Sequence, residues 1–195
     1  GHDVLYGYTN DLTDGGLSEV LESLLAARGS GSGRPDASGR GGLDLRRTGA
    51  GTELPGPRVR PDAHDKRWRL ERLREADAGA RIDPTIKQVE GILAEVEQQV
   101  LVANTDGVLA DDERTRTRLV MQAIASDGVQ TQTGHHGPGL SVGLELLELY
   151  DPAAVGRRAA EMALVNLRAK PAPAGTMPVV VGNAFGGVIF HEALG

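Results

Sequence analysis

The chain has 195 residues with a formal net charge of −6, no cysteine, and only 3% aromatic residues. Those figures exclude a disulfide framework and argue against a nucleic-acid surface, which needs a basic face. No apolar run approaches the roughly 20 residues a membrane-spanning helix requires, so neither nucleic acid nor membrane is an expected partner. Absence of cysteine fits a cytoplasmic location. With 27 glycines and 10 prolines, long loops are expected around a core of Leu, Val, Ile and Ala.

Taken in order, Asp3-Val-Leu-Tyr-Gly-Tyr-Thr reads as a short apolar strand. Thr13 or Asp14 can cap the helix that follows. In that helix Leu17, Val20, Leu21, Leu24 and Leu25 keep the spacing of one core-facing stripe, ending at Arg28-Gly29. Residues 29–62 are rich in Gly, Ser, Arg and Pro and show no sustained period, so they read as a solvated loop. A brief strand is suggested at Leu43-Asp-Leu-Arg. The arginines here have no interleaved aromatics, which argues against base stacking.

A charged helix is expected over 65–78, with Trp68, Leu70, Leu73 and Ala76 as its apolar contributors and the arginines on the opposite, solvated side. Asp83-Pro84 ends it. Residues 91–102 suit a helix by propensity, but Val100-Leu-Val-Ala-Asn-Thr-Asp-Gly-Val-Leu reads as two β-type runs around an Asp-Gly turn. Thr115, Thr117, Leu119, Met121 and Ala123 alternate on one face of the next strand. Ser126-Asp-Gly is a further turn, and Val129-Gln-Thr-Gln-Thr a polar strand. The fold class implied is α+β: a largely antiparallel sheet, arranged as a meander, flanked by helices over its edges.

His135 and His136 in Gly-His-His-Gly-Pro-Gly read as loop residues, because no Asp, Glu or Cys is close by in sequence. His2 and His64 are equally isolated. Asp151-Pro152 is a strong helix start, followed by the largely apolar pattern of Val155, Met162, Ala163, Val165 and Leu167, and the helix stops before Pro171. An apolar strand over 177–181 then leads through glycines to the His-Glu pair.

His191-Glu192 is the one pair with chemistry in it. A neutral imidazole can hold a metal while the next carboxylate takes a proton from water. The familiar H-E-x-x-H pattern fails, since the fourth residue after His191 is Gly195. By itself the pair is half a metal site. The glycines at 182, 186 and 187 lack the Gly-Lys-Ser/Thr ending of a phosphate cradle. Asp111-Asp112-Glu113, followed by Arg114, reads as a solvated hairpin end, not a cation site.

The stretch Gly-Asn-Ala-Phe-Gly-Gly-Val-Ile-Phe-His-Glu-Ala-Leu-Gly at 182–195 resembles the active-site segment of the TldD/PmbA family, specifically the TldD-type zinc metallopeptidases with their H-E-x-x-x-H motif. His191, Glu192, Ala193, Leu194 and Gly195 match its first five positions. The second His would be the next residue, which this chain does not contain. The resemblance continues upstream through Pro171-Ala-Pro-Ala-Gly-Thr-Met-Pro-Val-Val, Ala103-Asn-Thr-Asp-Gly-Val-Leu-Ala-Asp-Asp and Gly7-Tyr-Thr-Asn-Asp-Leu. It is weakest over 28–60.

What the resemblance implies is specific. His191 would be a zinc ligand, Glu192 the catalytic general base, and a distal cysteine the third ligand. Residues 1–176 would form the family's N-terminal α+β domain, and 177–195 the start of the active-site segment. The chain then reads as a fragment, inactive by itself. Peptide substrates are implied, unfolded or small, together with a PmbA/TldE-like partner subunit in a hetero-oligomer. An older family label, modulator of DNA gyrase, finds no support in the acidic balance. The rival reading is a noncatalytic PmbA/TldE-like subunit, against which the His-Glu pair itself argues. Five helical positions rotate about 500°, so two ligands at that spacing need a distorted helix, which Gly195 can permit.

Overall fold

A computed structural model describes residues 5–27, 46–47, 56–104, 106–182 and 186–195. The chain divides into two compact units, residues 1–49 with 102–110, and residues 50–101 with 111–195.

In the first unit, helix α1 spans Asp14–Ala27. Thr13 caps it: its hydroxyl accepts the Gly16 N–H at 3.2 Å and its carbonyl accepts that of Leu17 at 3.0 Å. The expected core stripe does not form. Val20 and Leu24 are half-buried, but Leu17, Leu21 and Leu25 remain exposed. The reason is the partner. A Cβ at Gly7 would lie 2.8 Å from the Val20 side chain, so the bare backbone around Gly7 covers only part of the stripe. Residues 5–9 carry no strand, contrary to expectation, and positions 3 and 4 lie outside the described residues.

The two-residue strand β1, Arg46–Arg47, pairs in parallel with residues 108 and 109. The rest of the suggested 43–46 strand, the Arg28-Gly29 helix end and most of the 29–62 loop lie outside the described residues. At the hairpin tip Asn104 Oδ1 accepts the N–H groups of Asp106 and Val108, and Gly107 adopts φ +86°. Only glycine does so without strain, which explains the Asp-Gly signal.

The second unit holds the larger core. Helix α2, Lys66–Ala80, starts at Asp65, whose carboxylate accepts the Trp68 N–H at 2.9 Å. Strands β2, Ile86–Ala103, and β3, Val108–Ser126, form the hairpin. Strand β4, Thr131–His136, pairs antiparallel with the end of β3, Met121 opposite His136 and Ser126 opposite Thr131. Strand β5, Gly139–Leu140, pairs with Thr117 and Arg118. A single turn of helix, α3 at Leu146–Leu149, precedes α4, Pro152–Arg168, which Asp151 caps by accepting the Ala154 N–H at 3.0 Å. The α+β class and the antiparallel meander are as expected. The helices, however, pack on one face of the sheet.

That face is the alternating set predicted for β3. Thr115, Thr117, Leu119, Met121, Ala123 and Ala125 are all buried. The last four form one core with Ala76 and Ala80 of α2 and Val155, Ala159, Ala160 and Ala163 of α4. Val165, read as an apolar contributor, is exposed instead. Small residues let the helices come close. A Cβ at Gly156 would lie 1.9 Å from the Ala76 carbonyl oxygen, and one at Gly79 would lie 2.2 Å from that of Ala153.

Two polar anchors hold elements to this core. Arg69 of α2 binds Glu95 of β2 through Nε and Nη2 at 2.8–3.0 Å, and its guanidinium also donates to the carbonyls of Pro61 and His64. Arg72 stands over the Trp68 ring at 5.5 Å. These two arginines therefore depart from the expectation of a solvated face. The Arg69–Glu95 pair also shows why 91–100 is a strand: its side chains find cross-element partners that an isolated helix would not give.

Glu145 is the second anchor. It is buried and accepts the N–H groups of Arg58 at 2.9 Å and Val59 at 3.0 Å, while Leu144 donates to the Val59 carbonyl at 2.8 Å. Burial pushes the Glu145 carboxyl up, but the N–H groups of Arg58, Val59, Glu145 itself and Gly143 together hold it below the ordinary value of 4.5.

Replacing Gly156 with Ala should lower stability by about 3 kcal/mol, through overpacking against α2. The same change at Gly182, where a Cβ meets nothing within 4 Å, should be neutral; urea midpoints measure both. If the two variants unfold alike, the close helix crossing is wrong. For Glu145 the lowered value means its stabilisation is present above pH 4.5 and lost as pH falls through the folded-state value. Glu145→Gln should cost about 2 kcal/mol at neutral pH and flatten the acid limb of a stability–pH curve. An unchanged acid limb would remove the anchor from the account.

Candidate active site

After α4 ends, Ala169 donates its N–H to the Asn166 carbonyl, and residues 169–182 run exposed. The expected strand at 177–181 does not form. Val180 is 98% exposed and no described strand pairs with it. Its β-propensity finds no ladder among the described residues, and Pro178 lacks one of the donors a ladder needs.

Helix α5, Gly186–Leu194, carries the His-Glu pair. The structure places the pair in the C-terminal half of this helix. Residues 183–185 lie outside the described set. His191 and Glu192 are exposed, as are Val188, Ile189, Phe190 and Leu194. The helix is regular as far as it goes, with the Gly195 N–H donating to the His191 carbonyl at 2.9 Å. A Cβ at Gly195 would lie 2.6 Å from that oxygen and 3.2 Å from His191 Nδ1. The glycine therefore leaves the imidazole free to stand over the helix end.

Adjacent helical positions differ by about 100°. The imidazole and the carboxylate thus project into neighbouring sectors and can serve one water molecule from two sides. An imidazole suits zinc, so the donor chemistry fits one position of a zinc site. It does not make a whole one: no group of three or more His, Cys, Asp or Glu side chains that could hold a metal ion exists among the described residues.

The other histidines are not drawn to this pair. His135 and His136 lie on strand β4, not in a loop, and as neighbours on a strand they face opposite sides. The strand continues through them because the end of β3 offers it a partner. His64 stacks on Trp68 with ring centroids 4.0 Å apart and planes within 7°, a contact no sequence spacing announced. His2 lies outside the described residues. Asp111, Asp112 and Glu113 are exposed on β3, where Asp112 accepts from Arg114 and Glu113 from Arg60. Beside them a pocket of about 330 Å³ is lined by residues 112–116, Gly56, Pro57 and Ser141.

Together these define an α+β domain, its helices on one face of an antiparallel meander, followed by an exposed helix bearing a His-Glu pair. Residues 60–167 match the family described as PmbA/TldA metallopeptidase central domain, and the chain belongs to that family. It is 37% identical over 136 residues to a protein named metalloprotease TldD homolog from Haemophilus influenzae, a match covering 67% of this chain and 28% of that protein. A Methanothermobacter thermautotrophicus protein named metalloprotease is 34% identical over 125 residues, 64% of this chain and 27% of its own length. The chain thus spans little more than a quarter of these relatives. Among solved structures, a Thermotoga maritima protein described as a modulator of a DNA gyrase superposes with a TM-score of 0.60 at 18% identity. That match covers 81% of this chain and 34% of the other, and it shows the shared fold. No helix among the described residues is long and apolar enough to cross a membrane.

Proposed function

We propose that this chain is part of a TldD-like zinc metallopeptidase hydrolysing peptide bonds in unfolded or small peptides. The observation that carries the reading is the His191-Glu192 pair on α5 in a chain whose family is that of the metallopeptidases. The names of the relatives from Haemophilus and Methanothermobacter support it.

In this reading His191 is one zinc ligand and Glu192 the general base. Zinc held there supplies a Lewis acid and makes water a nucleophile at neutral pH. Glu192 takes the proton of the attacking water and returns it to the leaving amine. His191 fixes one direction of the ligand set, with Gly195 keeping the ring unobstructed. The remaining ligands lie outside these residues. The Gly195 N–H donates to the His191 carbonyl in regular helical geometry, so this turn itself supplies no bend. The exposed apolar side chains of α5 support burial of this helix in an assembly, consistent with pairing to a PmbA/TldE-like subunit.

In the whole protein, Glu192→Gln should lower peptidase kcat by about 10²–10⁴-fold while leaving bound zinc in place. His191→Ala should lose both zinc and activity. Zinc content by atomic absorption, read beside cleavage of an unfolded reporter protein, separates the two roles. Full activity in either variant would sink the assignment. The 195-residue chain alone, with His191 the one imidazole of the motif, should hydrolyse no peptide and bind zinc only weakly. Tight stoichiometric zinc binding by titration calorimetry would show that other donors in it form a site.

A further inference from the structure

The side of the sheet away from α2 and α4 carries a row of cations. Thr115 and Thr117 point into the core, so Arg114, Arg116 and Arg118 project together from the opposite face of β3. Successive members of such a row stand about 6.7 Å apart, the two-residue repeat of any extended chain. On β2 the same face is identified by its neighbours. A Cβ at Gly91 would lie 2.8 Å from Met121 Sδ in the core, and Glu95 reaches Arg69 on α2. Ile92 and Val96 therefore point outward, 62% and 51% exposed.

The row is short of anionic partners. Arg114 pairs with Asp112 at 2.5 Å, but among the described residues neither Arg116 nor Arg118 enters an ion pair. Glu90, on the outward side of β2, is hydrogen-bonded by Gln88 at 2.6 Å. His135 of β4 adds a titratable group to this face, opposite Gln122. Arg118 is also held in place. A Cβ at Gly139 would lie 3.1 Å from its Cγ, and one at Gly137 would lie 3.5 Å from its Nη2. Its stem lies along bare backbone, so less conformational freedom remains to be lost on binding. In a chain of net charge −6, this face concentrates unpaired positive charge beside exposed aliphatic side chains.

We propose that the outward face of β2 and β3 docks an acidic, extended peptide segment, with carboxylates at alternate positions meeting Arg116 and Arg118. The matching two-residue repeat and the charge complementarity select this occupant. The proposal extends the peptidase reading by naming a sequence class, and it is read by binding alone, so it stands or falls separately from cleavage.

The test is fluorescence anisotropy on the whole protein carrying the inactivating Glu192→Gln change, with a labelled ten-residue peptide bearing Glu at every second position. Binding is expected to weaken with salt and to fall about tenfold in the Arg116→Glu/Arg118→Glu double variant. An Arg116→Lys/Arg118→Lys variant should retain most of it, and thermal unfolding of both should match the parent. A peptide with Gln in place of every Glu should not bind. Equal binding of the Gln peptide, or undiminished binding to the charge-reversed variant, overturns the proposal. So does a DNA duplex that competes as strongly as the peptide, which would make the row a general polyanion surface.

Discussion

The close crossing of α2 and α4 governs the larger unit. Gly79 and Gly156 bring each helix against the other's backbone carbonyls, and Ala76 and Ala80 of α2 share one buried core with Ala159 and Ala160 of α4, all minimal side chains. Two helices this close present one apolar surface, and the alternating inner residues of β3 fit it. Close packing of small residues gains dispersion contacts with little side-chain entropy lost. The cost is intolerance: there is no space for a methyl group at the crossing.

Much of this was legible in the sequence because it rests on local, periodic signals. The inner face of β3 showed as alternation, α4 as Asp-Pro followed by an apolar pattern, and the hairpin tip as Asn-Thr-Asp-Gly. What escaped had no local signal. Glu145 is anchored by the N–H groups of Arg58 and Val59, a pairing across a long stretch of chain that no spacing rule reaches. The stripe on α1 was real as a pattern but, among the described residues, finds the region of Gly7 to cover only part of it. The apolar run at 177–181 likewise has strand composition and no described strand to pair with. Periodicity reports what a segment is ready to bury; the partner decides whether it does.

The candidate site was legible as a dipeptide and a family resemblance, and its surroundings were not. The sequence could not say that His191 sits late in α5, nor that Gly195 stands next to its ring. Family membership rests on the β-sheet and helix core of residues 60–167, while the chemistry rests on a separate exposed helix.

The order in which the core becomes available during synthesis follows from the same helix crossing. Its two halves, α2 and α4, are far apart in the chain, with the whole hairpin and β4 between them. As the chain leaves the ribosome, β3 can pair with β2 before α4 is made, because that contact is local. Helix α2 is already available to cover part of the buried face of β3, but the part that α4 covers stays bare until α4 emerges. A nascent chain at that length would hold strands with part of their apolar face uncovered, the kind of species that chaperones bind. Helix α4 completes the core that α2 and β3 began.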